Sequence, residues 1–143
     1  MITFEVLGNP VTQGSIRATV HKSTGRAIAI QDHRAPLMNW RASIAHAAQV
    51  AADGAFAERG VPVWVEVTFR LQRPKSAPKR VVRPTTKPDI DKLARASLDA
   101  LTGVVFADDS QVVFLSLSKR FAPFGEAPGA KFQVTFGDMV TTL

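Results

Sequence analysis

The residues best equipped for chemistry lie in KPDIDKLARASLDALTGVVFADDSQVV, residues 87 to 113. This stretch holds five aspartates, Asp89, Asp91, Asp99, Asp108 and Asp109, among small and apolar residues. The chain around them is basic, with a formal net charge of +6. Carboxylates gathered in one place repel each other and are costly without a cation. A hard divalent ion removes that cost, and Mg2+ takes a few carboxylates together with waters and phosphate oxygens. Such an ion, Mg2+ or Mn2+ in its place, can polarise a phosphoryl oxygen and activate a water. The chemistry to look for is metal-assisted hydrolysis of a phosphodiester.

Spacing divides the five. On a helix, residues two apart diverge by about 200°, whereas in extended chain residues i and i+2 point the same way. Pro88 biases Lys87 away from helix. Asp89 is therefore expected in extended chain just ahead of a helix, with Asp91 in its first turn, so that both carboxylates can face one point. A helix from Asp91 to Thr102 would be about 18 Å long. Residues 103 to 109 reach at most about 23 Å when extended. The chain can thus double back and bring Asp109 near the helix start. Asp99 lies two turns after Asp91, about 12 Å along the axis, and is spaced to pair with Arg95. Arg95 is within a turn of Asp91 and could instead steady transition-state charge. Each aspartate also has a purely structural reading: Asp89 or Asp91 as a helix cap, Asp108 and Asp109 as turn residues.

The elements that must hold these residues follow from periodicity. Ile2, Phe4 and Val6 alternate with polar residues and predict a strand that Gly8-Asn9-Pro10 ends. SIRATVHKSTGRAIAI reads as two short strands around a Ser23-Thr24-Gly25 turn. Leu37, Trp40, Ile44, Ala47 and Ala51 recur at helical spacing up to Gly54. Val63, Val65, Val67, Phe69 and Leu71 give the clearest strand. A second helix is predicted near Ile90 to Thr102, its apolar face formed by Ile90, Leu93, Ala94, Ser97, Leu98 and Leu101, with Gly103 to close it. Gln111 to about Lys119 reads as a strand of a core sheet, with Val113, Leu115 and Leu117 on one face. Phe132, Val134 and Phe136 mark the last strand. The expected fold is a single α/β domain over residues 1–143, a mixed β-sheet with two main helices packed on it.

Between the clear strand and the second helix lies QRPKSAPKRVVRPTTKP, residues 72 to 88. Four prolines exclude a helix or a central strand there. From Arg70 to Lys87 the charged residues are all basic: Arg70, Arg73, Lys75, Lys79, Arg80, Arg83 and Lys87. A flexible positive segment of this kind binds phosphate backbone or is simply a solvated loop. The sequence pI of about 10.3 favours a polyanionic partner. At 143 residues and 45% hydrophobic content the chain can bury a core. The absence of cysteine excludes disulfides, thiolate metal sites and a cysteine nucleophile, and fits a reducing cytoplasm. No apolar run approaches the roughly 18 residues that span a membrane. The opening MITFEVLGNP has no basic leader and apolar core, so no signal peptide is expected. His21, His33 and His46 are scattered and read as ordinary positions.

Pro88-Asp89-Ile90-Asp91, then Leu93, Arg95, Asp99-Ala100-Leu101, Gly103, Asp108-Asp109 and Gln111-Val112, resemble in order and spacing the signature of the RusA family of Holliday junction resolvases. Gly8-Asn9-Pro10, Gln13-Gly14-Ser15-Ile16-Arg17 and the helix carrying Trp40 resemble the opening of phage-type members. The resemblance implies a small homodimeric, Mg2+-dependent endonuclease that cuts four-way DNA junctions by paired nicks, in DNA recombination and repair. It assigns the metal site to Asp89, Asp91 and Asp109, and an assisting base to Arg95, where the family commonly has lysine. Arginine does not serve as a general acid, so Arg95 is limited to charge stabilisation. Lys92 stands where the family often has asparagine, and is a candidate DNA contact instead. The loop bases Arg73, Lys75, Lys79, Arg80, Arg83 and Lys87 lead into the aspartates and would guide a strand there. Arg17, Lys22 and Arg26 of the hairpin could extend the same surface. Two other readings compete: a non-enzymatic basic DNA-binding module with structural aspartates, and a metal nuclease for branched DNA more broadly.

Overall fold

A computed structural model describes residues 1–14, 16–20, 27–31 and 34–137, with the backbone alone for 16–20, 27–31 and 34. The elements are strands β1 (Ile2–Leu7), β2 (Ile16–Val20) and β3 (Ala27–Gln31), helix α1 (Arg34–Ala52), strand β4 (Val63–Leu71), helix α2 (Ile90–Leu101), and strands β5 (Val112–Phe121) and β6 (Gly129–Phe136). Four strands form one mixed sheet in the order β1-β6-β4-β5. β4 and β5 run parallel with α2 as their crossover, and β6 runs antiparallel to both β4 and β1. The hairpin β2-β3 is a separate antiparallel pair. Its expected 23–25 turn lies outside the described residues.

Alternation decides the faces. Ile2, Phe4 and Val6 are buried while Thr3, Glu5 and Leu7 are exposed. On central β4, Val63, Val65, Val67 and Phe69 enter the same core, joined from β6 by Ala130, Phe132 and Val134. Phe4 stacks on Phe132, ring centroids 4.8 Å apart, a contact worth about 0.5–1.5 kcal/mol beyond its area. Helix α1 covers this face with Leu37, Trp40, Ile44 and Ala48. The buried positions continue at steps of four, so Ala48 and Ala52 take the core places and Ala47 and Ala51 flank them. The face of α2 also turns from its expected setting. Ala96 and Ala100 are buried with Leu93, Ala94, Ser97 and Leu101, while Ile90 and Leu98 are only half-buried.

One strand and one residue also depart from the expected pattern. β5 is an outer strand, so Val113, Phe114 and Leu115 are exposed, while Val112 and Leu117 pack against the core. Arg70 belongs to the sheet and not to the basic loop. Its side chain is buried beside Glu5 at 3.8 Å, and it lies against Gly129, where any side chain would collide with the Val6 carbonyl. Glycine is required there because the β1 and β6 backbones meet with no room for a Cβ.

Candidate active site

Helix α2 begins as the dipeptide spacing predicts. Asp89 is the residue before the first turn, in extended conformation with φ −72° and ψ 134°. Its side chain makes no capping hydrogen bond, so the cap reading fails for Asp89. Its carboxylate instead faces Lys92 at 3.7 Å. Both side chains are about half exposed, and such a pair contributes little. From the first turn, Asp91, Ala94, Arg95 and Leu98 follow at i, i+3, i+4 and i+7, which places them on one face. That face, with Leu115 and Leu117 of β5 and with Asp109, lines a cavity of about 310 Å3. The structure thus brings Asp91, Asp109 and Arg95 to one cavity, with Asp89 one turn-start away and outside its lining.

Asp109 reaches this place through a local device. Thr102 ends α2, and Gly103, with φ +80°, turns the chain back, a conformation that favours glycine. A short 3-10 turn, Asp109–Gln111, follows. Asp108 caps that turn: its carboxylate accepts from the Ser110 N–H at 3.3 Å, and its own N–H donates to Gln111 Oε1 at 2.8 Å. Asp108 also faces Arg59 at 3.9 Å. The turn reading is therefore right for Asp108, while Asp109 lines the cavity. Gln111 is buried, and its Nε2 donates to the carbonyls of Glu58 at 2.7 Å, Val61 at 3.0 Å and Ala57 at 3.3 Å. It clamps the turn to the loop ahead of β4. Nothing in the composition singles out Gln111. Its only signal was its place in the motif.

The charges interact. The Asp109 carboxyl is held above its ordinary range, first by the hydrogen bond it shares with Asp108, then by partial desolvation, then by the charges of Asp108 and Asp99. The Asp108 carboxyl is lowered, chiefly by the Ser110 backbone N–H. Asp99 therefore contributes to the field at Asp109. It is not ion-paired with Arg95; the described ion pairs are Arg59–Asp108, Arg70–Glu5 and Lys92–Asp89. Among the described residues no three His, Asp or Glu side chains converge tightly enough to hold an ion. The cavity nonetheless offers two carboxylates in a region of crowded negative charge, with oxygen as the only ligand type. Mg2+ is commonly held by one or two carboxylates plus waters and substrate phosphate, so this donor set fits a hard divalent cation.

The basic loop abuts the site and is braced from within. Arg73 donates to the Val81 and Pro78 carbonyls and stacks over the Phe121 ring, 5.2 Å from its centroid. Its guanidinium is thus engaged with carbonyls of the loop itself. Lys75, Lys79, Arg80, Arg83 and Lys87 are exposed. Lys119 of β5 donates to the carbonyls of Thr86 at 2.7 Å and Pro88 at 2.9 Å. That pins the loop end beside Asp89, a role the sequence reading missed. The amino-terminal loop also docks here, with the Gln13 N–H donating to the Lys92 carbonyl at 3.1 Å. Arg17 lies in β2, where only the backbone is described; Lys22, Arg26, His21 and His33 lie outside the described residues. His46 is exposed on α1, away from the cavity lining.

Comparison with known proteins identifies the family. Residues 8–134 match the family described as Endodeoxyribonuclease RusA. An uncharacterized protein of Bacillus subtilis (strain 168), YqaN, is 30% identical over 134 residues, covering 85% of this chain and 88% of the relative. No helix among the described residues is long and apolar enough to cross a membrane. The family match runs through both helices, the basic loop and every aspartate considered above: the protein belongs to the RusA family of endodeoxyribonucleases.

Proposed function

We propose that the protein is a divalent-metal-dependent endonuclease that resolves four-way DNA junctions by paired phosphodiester hydrolysis, in recombination and repair. The observation that carries this reading is the cavity shared by Asp91, Asp109 and Arg95 beside an acid-free basic loop, in a chain of this family. Asp91 and Asp109 would hold the cation, Mg2+ or Mn2+, with Asp89 turning from Lys92 to join them. A bound ion supplies a polarised phosphoryl oxygen and an activated water. Arg95, exposed on the same helix face, offsets the charge that builds on the phosphate as the water oxygen bonds to phosphorus and the sugar oxygen leaves. Lys75, Lys79, Arg80, Arg83 and Lys87 hold the strand by its phosphates, and Lys92, Arg17, Lys22 and Arg26 extend that hold. Two symmetric nicks call for two sites, so the working form is a homodimer. The exposed apolar residues of outer strand β5 support self-association there.

The test is incubation with a synthetic four-way junction, with and without Mg2+, against a linear duplex of the same sequence. Cleavage confined to the junction and to Mg2+ is expected. Asp91→Asn should abolish cleavage, by at least about a hundredfold, and keep junction binding. Undiminished cleavage by that variant overturns the metal-site assignment. Equal cutting of forks and flaps would overturn four-way selectivity.

A further inference from the structure

A second cavity lies within the basic loop. It has a volume of about 290 Å3 and is distinct from the aspartate cavity, sharing no lining residue with it. Its walls are mainly apolar: Leu71, Ala77, Val81, Pro84 and the ring of Phe121. Its polar lining residues are Gln72, Arg83, Thr85, Thr86 and Lys87. The volume lies just below the range of pockets that hold drug-sized ligands, about 300–1,000 Å3. That suits a single flat ring system.

The surroundings identify the ring. Five exposed cations, Lys75, Lys79, Arg80, Arg83 and Lys87, stand along the same loop, and no acid accompanies them. An apolar ligand alone would have no use for this rim, but a polyanion bearing flat apolar groups fits both parts. The pocket is also preformed. Turns close from Ala77 to Pro74 and from Val81 to Pro78, and Arg73 bonds across them while covering Phe121. Lys119 fixes the carbonyls of Thr86 and Pro88, and Pro88, which lines the pocket, adjoins Asp89 in the chain. We propose that this pocket receives one unstacked nucleobase of the DNA, while the loop cations hold the adjoining phosphates. This rests on the nuclease reading and extends it. A base captured here would set where along the strand the phosphodiester meets the aspartates, and would favour DNA in which stacking is already broken.

The experiment is a binding comparison in EDTA, so no cleavage intervenes. Three probes are used: a duplex with one unpaired adenine or thymine, the same duplex with an abasic residue at that position, and the fully paired duplex. Base stacking on a protein surface is worth enough to give about a tenfold ratio. The wild-type protein is expected to prefer the unpaired base over the abasic site by about that factor. Ala77→Phe fills the pocket from its wall without changing charge, and should erase the preference while binding paired duplex as before. If Ala77→Phe melts early, Phe121→Leu removes the ring and should lower the same ratio. Equal affinity of the wild-type protein for base and abasic probes overturns the proposal, as does a preference that survives either variant. The ratio does not depend on cleavage. Failure of the nuclease reading would appear separately, as an uncut junction in Mg2+.

Discussion

Gln111 shows how one buried side chain can place a reactive one. It accepts from the Asp108 N–H and donates to the 57–61 loop, so the turn that presents Asp109 is fixed at both ends. Removing a partner strands buried polar groups, at about 1–3 kcal/mol. Gln111→Leu keeps the volume but takes the acceptor from the Asp108 N–H and the side-chain donor from the Val61 carbonyl, while the Ala57 and Glu58 carbonyls keep backbone partners. It should lower stability by about that amount in urea or thermal unfolding, with cleavage reduced beyond what instability explains because Asp109 loses its seat. A variant as stable and as active as the wild type would show that the clamp is dispensable. Asp108 and Asp109, adjacent in sequence, divide the work. One is spent on the turn, and the other carries the raised carboxyl that faces the cavity.

At the scale of elements, the arrangement depends on β5 touching both ends of the site. Leu115 and Leu117 line the aspartate cavity, and Lys119 farther along bonds the end of the basic loop. A parallel β4-α2-β5 unit does this naturally, because the crossover helix lies over the strands it connects. The lysine is spent on carbonyls, so its loss should act on positioning more than on phosphate attraction. Lys119→Met is expected to reduce kcat several-fold while leaving the salt slope of DNA binding unchanged. A slope that falls by about one unit would make Lys119 a phosphate contact instead. Helix α2 itself carries both tasks on different faces: Leu93, Ser97 and Leu101 go to the core, and Asp91, Arg95 and Leu98 to the cavity.

For the whole molecule, the uneven distribution of charge governs how DNA arrives. The loop cations are exposed and the loop ends directly at Asp89, so a polyanion is attracted to the surface beside the aspartates. Binding should weaken with salt at a log–log slope of about −0.9 per phosphate contact. Lys79→Ala combined with Arg80→Ala should reduce the magnitude of that slope by about two, measured by anisotropy titration from low to moderate salt. An unchanged slope would remove these two residues from the interface. The same variant should leave the melting temperature near its starting value, since exposed charges contribute little to stability.

The sequence by itself determined most of the elements and the start of α2, with Asp89 ahead of the helix and Asp91 in its first turn. Alternation in β1 and β4 and helical spacing in α1 and α2 are local properties, and local periodicity is what a chain shows openly. The extended Asp89 ahead of a helical Asp91 followed from local geometry, the restriction Pro88 places on Lys87 together with the i, i+2 directions of extended chain and helix. Tertiary structure decided what depends on partners far along the chain. It made β5 an outer strand, so its apolar alternation did not mean burial. It drew Arg70 into the sheet beside Glu5 and Gly129, though in sequence it heads the basic run. It spent Arg73 and Lys119 on carbonyls of the loop and showed Gln111 as a clamp, because a hydrogen bond over fifty residues leaves no periodic trace. It also put Asp109 under the charge of Asp99. Reach along the chain allowed Asp109 to approach α2; only packing fixed which part of the helix it met.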